Sequence, residues 1–146
     1  MIIYLIITGV CSKLFEYFEK ISSIPHGSYN TGKIAGYLEN FAKERNLQYI
    51  QDELNNVILF GPGSAGYEDH DPVILRGHMD MVCEKDASSP INFDTDGLDV
   101  THDDAYVFAK GTTLGGDDGI AVAYALAVLA DKSIPHPPLE VVITVD

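Results

Sequence analysis

The sequence predicts an α/β domain in which a mixed, twisted sheet is flanked by helices. Three observations carry this. Short segments rich in branched apolar residues recur at 47–51, 56–60 and 73–78, the composition of strands. Residues 139–145 are an almost continuous apolar run, as a central strand of an α/β sheet would be. Residues 118–131 are apolar and rich in alanine, which suits a helix buried against such a sheet.

The remaining elements follow in chain order. Met1–Ile7 is strongly apolar but too short to span a bilayer. It also lacks the basic flank and small-residue cleavage site of a secretory signal. It reads as a strand or an irregular extension, and residues 1–10 stand apart from the rest. Leu14, Phe15, Phe18 and Ile21 follow a helical spacing after Ser12, a candidate N-cap. Ile24-Pro25-His26-Gly27 breaks that helix, and His26 reads as a loop or packing residue. A second helix starts near Asn30, with Ile34, Leu38 and Phe41 on one face. Gly97 to Ala109 reads as a hairpin turning at His102-Asp103-Asp104, with His102 solvated. Ser133 to Pro138 is a helix-to-strand connection too short to link domains. Repeats and low-complexity segments are absent.

Composition bounds the function. With 146 residues, 46% of them hydrophobic, the chain can form about one core. A net charge of −13 argues against nucleic acid, because no basic stripe exists to neutralise phosphates. No segment is suited to a membrane. The acids between Glu84 and Asp104 read as a solvated face that attracts divalent ions at low salt. Cys11 and Cys83 provide no disulfide framework, and a cytoplasmic enzyme would keep them reduced. Cys83 lies three residues past Asp80, so metal contact and a buried inert thiol are both open, with the thiol reading preferred.

Chemistry concentrates in two segments. Val73-Ile74-Leu75-Arg76-Gly77-His78-Met79-Asp80 reads as a buried strand ending in a His-x-Asp pair. Residues two apart on an extended chain leave the same face. A neutral imidazole binds zinc well, and a carboxylate behind it fixes its tautomer. Gly111-Thr112-Thr113-Leu114-Gly115-Gly116-Asp117-Asp118-Gly119 then places two carboxylates in a glycine-bounded turn before an apolar helix. Each has a bland alternative. His-x-Asp arises often by chance, and Asp117-Asp118 could serve only to cap and charge a helix start.

The combination, from Ile24 to Asp146, closely resembles the N-terminal part of the aminoacyl-histidine dipeptidases, within the dinuclear zinc exopeptidase family. The resemblance rests on Ser23-Ile24-Pro25-His26-Gly27-Ser28-Tyr29, Gly77-His78-Met79-Asp80-Met81-Val82, Gly111-Thr112-Thr113-Leu114-Gly115, Ala125 to Asp131 and Pro138 to Val145. The Gly-Thr-Thr-Leu-Gly element favours the dipeptidase and tripeptidase branches over the deacylases.

The resemblance implies specific roles. His78 would ligate one of two zinc ions, for which cobalt or manganese could substitute. Asp80 would clamp that imidazole. Asp117 would bridge the metals, and the Asp117–Asp118 peptide bond would be cis. Where many relatives carry Ala-Asp-Asn-Gly, this chain has Gly116-Asp117-Asp118-Gly119. That leaves Asp118 as a supporting group of open role. In the family, the strand matched by Leu139–Val145 runs into two glutamates, a general base and a further ligand. The chain is therefore expected to be part of a larger cytoplasmic, homodimeric enzyme with a lid or dimerisation domain. Residues 1–146 alone are expected to bind zinc weakly and to hydrolyse nothing. The implied reaction is hydrolysis of a dipeptide, Xaa-His above all. The alternatives are a tripeptidase or aminoacylase of the same family, or a scaffold domain without chemistry.

Overall fold

Leu139, Val141 and Ile143 alternate with Glu140, Val142 and Thr144, and the strand they form is the hub of the sheet. In the computed structural model, which describes residues 2–146 and side chains from Ser12 onward, the helices are α1 (Ile2–Ser22), α2 (Gly32–Glu44) and α3 (Gly116–Ala130). The strands are β1 (Gln48–Gln51), β2 (Val57–Gly61), β3 (Val73–His78), β4 (Val100–His102), β5 (Val107–Ala109) and β6 (Leu139–Thr144). The main sheet runs β1-β2-β6-β3. The β1–β2 and β2–β6 pairs are antiparallel and the β6–β3 pair is parallel, so the sheet is mixed as expected.

One face of β6 is buried and the other half-buried. The buried face, with Val57 and Leu59 of β2, meets Phe18 and Ile21 of α1, Leu38 of α2 and Leu126 of α3 in a single core. In α2 the buried residues are Ile34, Ala35, Leu38, Phe41 and Ala42, the stripe that a 3.6-residue period places on one side. Its end is a Schellman turn. Asn46 adopts a left-handed φ of 55°, and the Asn46 and Leu47 N–H groups donate to the carbonyls of Lys43 and Ala42.

Two expectations are corrected. The apolar N-terminus is not a strand or irregular extension: α1 begins at Ile2 and runs through Ser12 without a break, so Ser12 caps nothing. The run of isoleucines suggests a strand, but such propensities are weak and yield to context. Second, β3 is not a buried strand. Val73 is 44% and Ile74 62% exposed, because β3 lies at the sheet edge with β6 as its one paired neighbour. The hairpin stands as read. Its turn is held by Asp103, whose carboxylate accepts from the Ala105 and Tyr106 N–H groups, and His102 is exposed.

Candidate metal centre

Parallel pairing brings the carboxyl ends of β3 and β6 side by side, with His78 in register with Thr144. The Met79 N–H donates to the Thr144 carbonyl at 2.8 Å, so the chain is still anchored where it leaves the strand. His78 therefore projects from a fixed strand end, the usual location of sites in open α/β sheets.

Asp80 is 8% exposed, and its Oδ1 lies 3.0 Å from His78 Nδ1. The Asp80 carbonyl is 3.1 Å from the same nitrogen. Two acceptors facing Nδ1 require that nitrogen to carry the proton, which leaves the lone pair on Nε2. Burial pulls the His78 pKa down, but hydrogen bonds to Asp80 and Asp117 and the charge of Asp80 outweigh it and raise the pKa above its ordinary value.

Asp117 arrives from 39 residues away, its Oδ1 3.4 Å from His78 Nε2. The loop that delivers it is tied to the segment after Asp80. Thr113 Oγ donates to the Val82 carbonyl at 2.7 Å, the Thr113 N–H to Glu84 at 2.9 Å, and the Asp86 N–H to Gly111 at 2.9 Å. Gly115 turns the chain into α3 with a φ of 69°, a conformation that glycine adopts without a Cβ penalty. The Asp117–Asp118 peptide is cis, and both aspartates have non-helical backbone angles. Gly115 is the N-cap and no side-chain capping hydrogen bond forms, but both aspartates lie in the first turn of α3, where their charge also suits the helix start. Asp118 lies over Gly77.

The donor set fits a divalent cation. Two ligands each about 2.0–2.1 Å from a tetrahedral zinc stand roughly 3.3 Å apart. The separation of His78 Nε2 and Asp117 Oδ1 is 3.4 Å, longer than the usual optimum for an N–H···O bond. The Asp117 side chain is 99% exposed and free to ligate. Among the described residues no third His, Cys, Asp or Glu completes a metal-holding group, so these two can supply only part of a shell.

Most other residues fall where the sequence placed them. His26 is 4% exposed with Nδ1 on the Ile24 carbonyl, a packed loop residue. Burial lowers its pKa, against the Ile24 carbonyl and the Asp80 charge. Cys83 packs against Gly27 but is half-buried rather than the buried thiol expected; desolvation, helped by Asp94, Asp80 and Glu84, raises its pKa. Glu84, Asp94 and Asp99 are exposed, consistent with a solvated acidic face. Sequence reasoning missed one contact, between Ser28 Oγ and Asp80 Oδ2 at 2.5 Å. Nothing in the spacing of residues 52 positions apart signals it.

No family model matches the chain. It is 43% identical over 131 residues, 90% of its length, to the cytosol non-specific dipeptidase of Escherichia coli. The solved aminoacylhistidine dipeptidase of Vibrio alginolyticus superposes over 92% of the chain with a TM-score of 0.88 and 40% identity. The chain is thus similar to these two dipeptidases, to both in sequence and to the second also in fold. It spans 27% of the length of each of these two relatives. A tripeptidase of Staphylococcus aureus, 23% identical with a TM-score of 0.70 over 90% of this chain and 35% of its own, shares the fold. Among the described residues no helix is long and apolar enough to cross a membrane.

Proposed function

We propose that this chain contributes half of a dinuclear zinc site to a cytosolic dipeptidase that cleaves short peptides with a free N-terminus, Xaa-His dipeptides above all. The observation that carries the reading is the arrangement around His78. Asp80 holds Nδ1 and leaves the Nε2 lone pair 3.4 Å from the carboxylate of Asp117. The similarity to two dipeptidases adds the substrate class.

His78 and Asp117 are assigned as ligands and Asp80 as the group that orients the imidazole. Zinc, when bound, supplies Lewis acidity that activates water near neutral pH and polarises a carbonyl. Catalytic zinc sites take about three protein ligands per metal, and the two offered here fall short of that. The general base and further ligands are therefore assigned to residues outside this chain.

The test is a dipeptide panel on the protein as its gene encodes it, stripped with chelator and reloaded with zinc. Zinc-restored hydrolysis of Xaa-His and other dipeptides, with N-acylated analogues spared, is the expected result. Cleavage of the acylated analogues alone would assign an aminoacylase instead, and no hydrolysis with any metal would leave a scaffold.

A further inference from the structure

We propose that Ser28 is a positioning residue for the metal centre, acting through Asp80; this rests on the function proposed above. Asp80 has two carboxylate oxygens and the fold occupies both. Oδ1 accepts from His78 Nδ1 at 3.0 Å, and Oδ2 accepts from Ser28 Oγ at 2.5 Å. The hydroxyl has one proton, and its other acceptor in reach, the Met81 carbonyl, is 3.5 Å away. The hydroxyl therefore donates its hydrogen bond to Asp80.

The serine is held in place by its own backbone. The Ser28 N–H donates to the Met81 carbonyl at 3.2 Å, and the Met81 N–H donates to the His26 carbonyl at 3.0 Å. Gly27 and Met81 thus form a parallel bridge. Cys83 Sγ occupies the space where a Gly27 side chain would stand, which seats the loop against the strand end. The loop that carries Ser28 and the segment that carries Asp80 are therefore tied together through backbone hydrogen bonds. A water could solvate Oδ2 in place of the hydroxyl but could not fix the carboxylate's rotation. That rotation decides whether Oδ1 faces the imidazole.

The chain of contact runs Ser28, Asp80, His78, and ends at Nε2. Partners that orient a metal-bound imidazole typically contribute about 10–100-fold to metal affinity. Ser28 stands one contact further out, and the lower end, about tenfold, is expected for its loss.

The experiment is zinc affinity by chelator competition, paired with melting curves in chelator, on the protein as its gene encodes it. Ser28→Ala should bind zinc about tenfold more weakly and melt like the wild type without metal. Ser28→Thr, which keeps the hydroxyl, should recover the affinity. If Ser28→Ala binds zinc like the wild type, the positioning role is overturned while the metal centre stands. A much lower melting temperature of Ser28→Ala without metal also overturns it, because the hydroxyl then holds the loop and not the ligand. Failure of the wild type itself to bind zinc overturns the metal reading and this proposal together.

Discussion

Gly77 lies directly beneath Asp118. A methyl group built on its Cα would stand 2.9 Å from Asp118 Oδ2 and 3.2 Å from the Cβ of Ala121. The glycine one residue before His78 thus allows α3 to start against β3 and bring Asp117 over the strand end.

Gly77→Ala is expected to destabilise the fold by about 1–3 kcal/mol, the usual cost of overpacking. It should also weaken zinc binding, because Asp118 and the helix start must move. Thermal melting with and without zinc reads both effects. Unchanged melting and unchanged affinity would show that the helix start is not seated on β3 as described.

Asp80→Asn separates charge from shape. The carboxylate accepts from His78 on one oxygen and from Ser28 on the other, and an amide has only one oxygen. One of the two donors must therefore face an NH2 group. The main-chain carbonyl of residue 80 still faces Nδ1 at 3.1 Å, so the Nδ1–H tautomer of His78 should persist while the imidazole loses the carboxylate's charge. Zinc affinity should fall by about 10–100-fold. Unchanged zinc affinity in the variant would remove the Asp80 carboxylate from its orienting role.

His26 sets a pH dependence of stability. Burial lowers its folded pKa below the ordinary histidine value of about 6.5, so the folded chain holds it neutral where the unfolded chain would protonate it. The stability this contributes is present above about pH 6.5 and is lost as pH falls through that value. His78 runs the other way. Its raised pKa favours the fold at low pH, and that advantage is lost as pH rises. A His26→Asn variant keeps a donor for the Ile24 carbonyl but does not titrate, so it isolates the His26 part. The melting-temperature advantage of the wild type over this variant should shrink between about pH 7.5 and about pH 5.5. A constant difference across that window would contradict the assignment.

Local pattern made most of the fold legible. Ile34, Leu38 and Phe41 share a face at helical spacing, and residues 47–51, 56–60 and 139–145 carry the composition of strands; each forms the element expected. His78 and Asp80 were legible for the same reason, being two apart at the end of a strand. The start of α1 was not legible, because a run of β-branched residues is ambiguous between helix and strand. The exposure of β3 depends on its place at the sheet edge, which apolar content does not reveal. Ser28 reaches Asp80 only because the loop after α1 pairs with Met81, a tertiary contact without a sequence period.

In the proposed function, His78 and Asp117 hold one cation between them. Isothermal titration with zinc of the wild type, His78→Ala, Asp117→Ala and the double variant tests it most directly. Each single variant should lose affinity by more than about tenfold, and the double variant should lose less than the sum, since ligands of one ion act as a unit. Full affinity in either single variant, or strictly additive losses, would contradict the claim.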